Sequence, residues 1–256
     1  MTDAVQAFYD DLAGHYHLIF ADWRASVRHQ AVVLDRLIRV VLGPGPHTVL
    51  DASCGIGTQA IGLALAGHRV HATDLSPVAV ARARQEAAGF GVVLTLGVAD
   101  LRALTQQVPG EFDVVLACDN ALPHLLTDED LRRAVASMAA KLRPGGLFLA
   151  SIRDYDQLVS DPPRGEGPRV IDNAGGRRIA FQVWDWADDG RRYRLHQFLV
   201  RQAGDGWRTN HFTTEYRALL RDDLGAAARA AGLADVLWHE PEDSGFYQPI
   251  ATARKR

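Results

Sequence analysis

Between residues 47 and 152, short apolar segments alternate with segments of helical periodicity, and this alternation leaves little choice of fold. The apolar segments are His47–Asp51, Arg69–Asp74, Val92–Val98, Phe112–Cys118 and Leu147–Ile152. Helical segments lie at Gly57–Ala66, Pro77–Ala88 and Glu129–Lys141, the last closed by a turn at Arg143-Pro144-Gly145-Gly146. Strands this short and apolar are buried on both faces. The expected core is therefore α/β, a mostly parallel sheet with helices on both faces.

The flanks read differently. Phe8, Tyr9, Leu12, Tyr16 and Phe20 recur at helical spacing, as do Val32, Leu34, Leu37, Ile38 and Val41, so residues 1–45 predict a helical cap. Residues 46–156 form the core. After it, a Pro- and Gly-rich loop (Asp161–Gly176) precedes three strand-like runs, Arg178–Asp185, Arg192–Val200 and Trp207–Thr214. The turns between them, Asp188-Asp189-Gly190 and Ala203-Gly204-Asp205-Gly206, predict an antiparallel β cap inserted over 157–217. Residues 218–256 return to the core with a helix, Leu219–Ala231, and a hairpin, Val236–His239 and Tyr247–Ala253, giving seven core strands.

Composition narrows the partners. The net charge is −3 and no Lys/Arg cluster stands out, which argues against nucleic acid. No apolar run approaches a membrane span and the N-terminus lacks a signal-peptide pattern, so a cytoplasmic chain with no membrane contact is expected. Cys54 and Cys118 are the two cysteines, most simply both reduced. No metal is expected: no Cys/His cluster has zinc spacing, and His15 and His17 point apart on a helix. The oligomeric state is not legible.

Residues 49–64, VLDASCGIGTQAIGLA, carry the chemistry. A strand ends at Asp51, and Gly55 and Gly57 let the backbone turn tightly and a ligand approach closely. A packing turn is the plainer alternative. Asp74 ends the second strand 17 residues after Gly57, where an acid accepts hydrogen bonds from ribose hydroxyls. Asp100 follows the third strand, where it would accept from an adenine amino group or else cap a turn.

These segments resemble class I S-adenosylmethionine (SAM)-dependent methyltransferases. DASCGIGT is similar to their glycine-rich motif, TDLSPVAVARAR to the second motif, VADLR to the adenine motif and LRPGG to the turn before strand five. YDDLAGHYHLIFADW, CDNALPHL, SIRDYD and SGFYQPI narrow the resemblance to the glycine/sarcosine N-methyltransferase group. It implies a Rossmann-like fold, SAM as cofactor and S-adenosylhomocysteine (SAH) as product. It places Ser53 under the methionine part, Asp74 at the ribose, and Asp100 and Leu101 at the adenine, with Leu75 also in contact with the cofactor. Tyr16, Trp23, Cys118 and His124 would complete the cofactor pocket with Gly55 and Gly57. Asn120 would face the substrate amine, Arg153 would grip a carboxylate, and Tyr155 would add a hydroxyl or ring wall. Near Ser26 the sequence departs from the group, which has an arginine there.

Plainer roles stand beside several of these. His124 would be a buried histidine bonded to backbone, Tyr9 and Tyr16 would pack, Trp184 and Trp186 would be cap core, and Arg153 would join an internal ion pair with Asp119 or Asp154. The expected function is methyl transfer to a small molecule, with N-methylation of an amine or amino acid ahead of O- or C-methylation of a natural product. A non-catalytic nucleotide-binding module is the alternative of another kind.

Overall fold

The computed structural model describes residues 2–256. The chain opens with α1 (Thr2–Leu12), a 3-10 turn (Tyr16–Ile19) and α2 (Trp23–Leu42). Then follow β1 (Thr48–Asp51), α3 (Thr58–Leu65), β2 (Arg69–Asp74), α4 (Pro77–Phe90), β3 (Thr95–Val98), α5 (Leu104–Gln107), β4 (Phe112–Ala117), α6 (Asp128–Ala140), β5 (Leu142–Ser151) and α7 (Tyr155–Ser160). Four long strands come next: β6 (Gly165–Asn173), β7 (Gly176–Trp186), β8 (Arg192–Ala203) and β9 (Gly206–Arg217). The chain ends with α8 (Arg221–Ala230), β10 (Leu233–His239), α9 (Pro241–Ser244) and β11 (Ile250–Lys255).

The first sheet has seven strands in the order β10-β11-β5-β4-β1-β2-β3. β1 to β5 run parallel, and β11 pairs antiparallel with β5. Alternate residues of β4 serve opposite faces. Val114 and Leu116 pack with α2 and α3, whereas Val115 and Ala117 pack with α6 and α8. The helices after β1 and β4 thus leave on opposite faces, and a crevice opens at the carboxyl ends of these neighbouring strands. Local sequence sets the helix ends: Asp22 caps α2, and Ser76 caps α4 with Pro77 in its first turn.

The second sheet, β6-β7-β8-β9, is antiparallel throughout. Its buried face takes Phe8 and Leu12 of α1 against Ala180, Leu199 and Phe212, and carries Trp184, Tyr193 and Tyr216 into the main core. Two expectations need correction. The segment expected as a loop over 161–176 contains β6, an edge strand whose pairing shifts between Glu166 and Arg169, around Pro168. An edge position and a bulge are where a strand tolerates proline, so the Pro/Gly content masks it. The turn Arg143–Gly146 lies inside β5, whose register with β4 shifts between Phe112 and Val114. No helix among the described residues is long and apolar enough to cross a membrane.

Two predictions follow from the core. A Cβ on Gly62 would sit 2.7 Å from the Val27 carbonyl oxygen and 2.8 Å from the Ala31 Cβ, where α3 meets α2. Gly62→Ala should therefore destabilise the fold by about 1–3 kcal/mol in chemical denaturation. An unchanged midpoint would show that the two helices separate at no cost. The second concerns Asp51, which is buried at the end of β1 with its Oδ2 unpartnered. Burial pushes its carboxyl up from 3.8 to about 7, against the pull of the Ser53 backbone N–H. From about pH 4 to about pH 7 the unfolded chain ionises this group while the folded chain keeps it protonated, so stability is lost as pH rises through that window. Asp51→Asn should abolish that loss. The melting temperature of the variant minus that of the wild type should increase from about pH 5 to about pH 8, and a constant difference would contradict the buried proton.

Candidate active site

The crevice at the strand ends holds two cavities. The narrower, about 110 Å³, is walled by the loops after β1, β2, β3 and β4 and by Val5, Tyr9 and Tyr16 from the N-terminal segment. The wider, about 840 Å³, lies between the ends of β4 and β5, the second sheet and the segment around α9. Tyr9, Tyr16 and Asp119 line both, so the two cavities meet at these side chains.

Asp74 organises the narrow cleft. Its Oδ2 accepts the Gly55 N–H at 2.8 Å and its Oδ1 accepts the Ser76 N–H at 2.9 Å. A carboxylate has roughly four lone-pair sites, so it keeps acceptor capacity toward the cleft. Burial raises its pKa, opposed by those backbone donors. Gly55 adopts φ +51°, which a side chain would disfavour. Ser53 lines the cleft with its buried Oγ unpartnered. Asp100 lines it as well, and also performs the plainer role considered for it: its carboxylate caps the turn Leu101–Ala103 by accepting from the Arg102 N–H. Partial burial pushes its pKa up, but the hydrogen bonds and charge of Arg102 outweigh that and lower it.

Leu75, Leu101, Cys118 and His124 complete the cleft with Tyr16. His124 Nε2 shares a hydrogen bond of 2.8 Å with the Tyr9 hydroxyl. Burial drives its pKa down to about 3, more than the backbone hydrogen bond at Glu215 raises it. It is a neutral ring at physiological pH.

At the junction, the chain after β4 passes through two consecutive left-handed residues, Asp119 (φ +59°) and Asn120 (φ +63°). Such backbone strain persists only where surroundings hold it, and functional sites are where it collects. Here the Asp119 N–H donates to Ser151 Oγ and the Asn120 N–H to the Ser151 carbonyl. The Asp119 carboxylate takes the hydroxyl of Tyr16 on one oxygen and that of Tyr247 on the other.

Behind Asn120 runs a hydrogen-bonded chain whose direction is fixed. A guanidinium can only donate, so Arg153 NH1 donates to the Tyr193 hydroxyl at 3.0 Å. Tyr193 then donates to the Tyr155 hydroxyl at 2.9 Å, and Tyr155 donates to Asn120 Oδ1 at 3.0 Å. The Arg153 backbone N–H also donates to Oδ1 at 3.2 Å. Arg153 NH2 meets Gln182 Oε1 at 3.2 Å and Glu166 at 3.5 Å, and its guanidinium lies 4.8 Å from the Trp184 ring.

Most of the sequence-derived residues therefore converge. Tyr16, Ser53, Gly55, Asp74, Leu75, Asp100, Leu101, Cys118 and His124 line the narrow cleft, and Asn120 and Arg153 line the wide chamber. Three lie behind the walls. Gly57 caps α3 at φ +96°, Trp23 is buried and donates to Thr58 Oγ1, and Tyr155 is fully buried. The internal ion pair considered for Arg153 forms with Glu166 instead of Asp119 or Asp154. Sequence reasoning missed Asp119 and Tyr247. Asp119 follows an apolar strand, the same signal that marked Asp51, Asp74 and Asp100, and Tyr247 lies within SGFYQPI, one of the segments that carry the resemblance.

Comparison with known proteins agrees with this geometry. Residues 49–146 match the family described as a methyltransferase domain. A glycine/sarcosine N-methyltransferase of Parasynechococcus marenigrum (strain WH8102) is 32% identical over 211 residues, covering 77% of this chain and 71% of that protein. One from Halorhodospira halochloris is 26% identical over 193 residues, 71% of this chain and 69% of the relative. Among solved structures, the SAM-bound amino pentose methyltransferase of calicheamicin biosynthesis from Micromonospora echinaspora superposes with a TM-score of 0.76 at 23% identity, over 90% of this chain and 92% of that one. With a strand-end crevice of this construction and a relative this similar over most of both sequences, the chain belongs to the SAM-dependent methyltransferases.

Proposed function

We propose that the protein transfers a methyl group from SAM to the nitrogen of a small amine, with the cofactor in the narrow cleft and the acceptor in the wide chamber. The carrying observation is that the two cavities meet at Tyr9, Tyr16 and Asp119. The cleft fits the cofactor chemically. Asp74 has lone pairs left for ribose hydroxyls, Gly55 lets the backbone approach closely, and Ser53 Oγ lacks a partner beside the methionine position. Leu75, Leu101 and Leu125 give flat apolar contacts to an adenine, with Asp100 at its amino edge. Bound SAM supplies an electrophilic methyl group, so the protein's task is alignment and exclusion of water. Tyr9 and Tyr16 close the junction from the N-terminal side, and burial raises both pKa values well above 10.0, keeping their hydroxyls as donors.

Nitrogen is favoured over oxygen by the basicity available. Transfer to a hydroxyl gains from a general base whose pKa lies near the working pH. The imidazole at the cleft, His124, has a pKa of about 3 and is already engaged by Tyr9. A neutral amine is a nucleophile without such help. The glycine/sarcosine names of the relatives support an amine acceptor.

Incubation with SAM and a panel of amines, phenols and carbon acids, followed by mass spectrometry, should yield N-methylated amines. Transfer confined to phenol oxygen or carbon would overturn the nitrogen reading, and SAH binding without transfer to any of them would favour a non-catalytic module. Asp74→Ala should weaken SAH binding by about 1–3 kcal/mol in calorimetry. An unchanged affinity would remove Asp74 from the ribose.

A further inference from the structure

We infer that the acceptor is a vicinal amino alcohol on a hydroxyl-rich skeleton larger than an amino acid, its nitrogen held by Asp119 and its neighbouring hydroxyl oxygen by Asn120 Nδ2. The inference rests on the methyltransferase reading and specifies its substrate class.

The starting point is which end of Asn120 remains available. Its Oδ1 receives the Arg153 backbone N–H and the Tyr155 hydroxyl. A backbone N–H cannot accept, so the amide orientation is fixed and the Nδ2 donors face elsewhere. Nδ2 is buried and has no partner, although the residue lines the chamber. Leaving a buried donor unsatisfied costs about 1–3 kcal/mol, which a ligand oxygen would recover. An attacking amine cannot fill this role, because its lone pair must point at the methyl group. Asn120 therefore calls for an oxygen beside the nitrogen.

The nitrogen needs an acceptor, and the preceding residue provides one. Each oxygen of Asp119 takes one tyrosine hydroxyl and keeps a lone pair, at the point where the two cavities meet. Adjacent residues in the same left-handed conformation thus offer an acceptor and a donor side by side, which matches an N–H and an oxygen on neighbouring carbons.

Charge and size separate a hydroxyl from a carboxylate. Asp119, Asp154, Glu166, Glu240 and Glu242 line the chamber, against Arg153 and Arg169. Arg153 already has Tyr193, Gln182 and Glu166, so a substrate carboxylate would have to displace Glu166 to reach it. Arg169 donates to the Ile19 carbonyl. A hydroxyl meets no such repulsion. The volume of about 840 Å³ lies within the range of pockets that hold ligands of drug size, and a two-carbon amino acid would leave most of it empty.

The test uses the full chain with four probes: glucosamine, trans-2-aminocyclohexanol, cyclohexylamine and glycine. Each is titrated calorimetrically into the SAH-saturated protein, and initial rates are measured with SAM. The two amino alcohols should exceed cyclohexylamine and glycine in kcat/KM by about tenfold, the scale of one buried hydrogen bond. Asn120→Asp keeps the accepted bonds and loses the donor, so it should bring the ratio of aminocyclohexanol to cyclohexylamine to about one. A purely structural Asn120 would lower both rates together. Asp119→Asn should raise KM for every amine by about tenfold more than it weakens SAH binding. Glycine used as well as the amino alcohols, no amino alcohol binding, or an unchanged ratio in Asn120→Asp would overturn the inference. Failure of SAH itself to bind the wild type would sink the methyltransferase reading and the inference with it.

Discussion

The carboxylate of Asp74 ties the loop after β1 to the loop after β2, and the narrow cleft depends on that tie. By accepting the Gly55 and Ser76 N–H groups it holds two crossovers that leave adjacent parallel strands. Ser76 in turn caps α4 and donates its hydroxyl to Asp10 of α1, so the same linkage reaches the N-terminal helix that closes the cleft. A buried acid is costly unless its lone pairs are met. Here backbone donors meet part of that need, and the remainder faces a cavity.

A second polar centre stands where the narrow cleft meets the wide chamber and is built from distant segments. Asp119 gathers Tyr16 from the start of the chain and Tyr247 from near its end. The ordered run Arg153–Tyr193–Tyr155–Asn120 brings the second sheet into the same framework. The inserted sheet therefore does more than cover the chamber: Tyr193 and Gln182 hold the Arg153 guanidinium, and Tyr193 reaches the Asn120 amide through the Tyr155 hydroxyl. Each member of such a network polarises the next, so its geometry is stiffer than any single contact suggests.

How much of this the sequence discloses follows from the range of each interaction. The alternation of apolar strands and helices, the strand-turn-helix at Asp51–Gly57 and the acids at Asp74 and Asp100 are local signals, and the structure brings these segments and acids together at one crevice. What escaped is non-local or masked. β6 is an edge strand interrupted at Pro168, so its composition imitates a loop. The partners of Arg153 come from Glu166, Gln182 and Tyr193, on three strands of the second sheet whose pairing no local pattern announces. The resemblance counts Trp23 into the cofactor pocket, yet its indole donates to Thr58 Oγ1 behind the cleft wall.

The most direct measurement is a crystal structure of the protein with SAH. The account predicts the ribose hydroxyls on Asp74, the adenine between Leu101 and Leu125, and the sulfur facing Asp119 at the mouth of the wide chamber. SAH lying in the wide chamber, or with its sulfur turned away from Asp119, would contradict it.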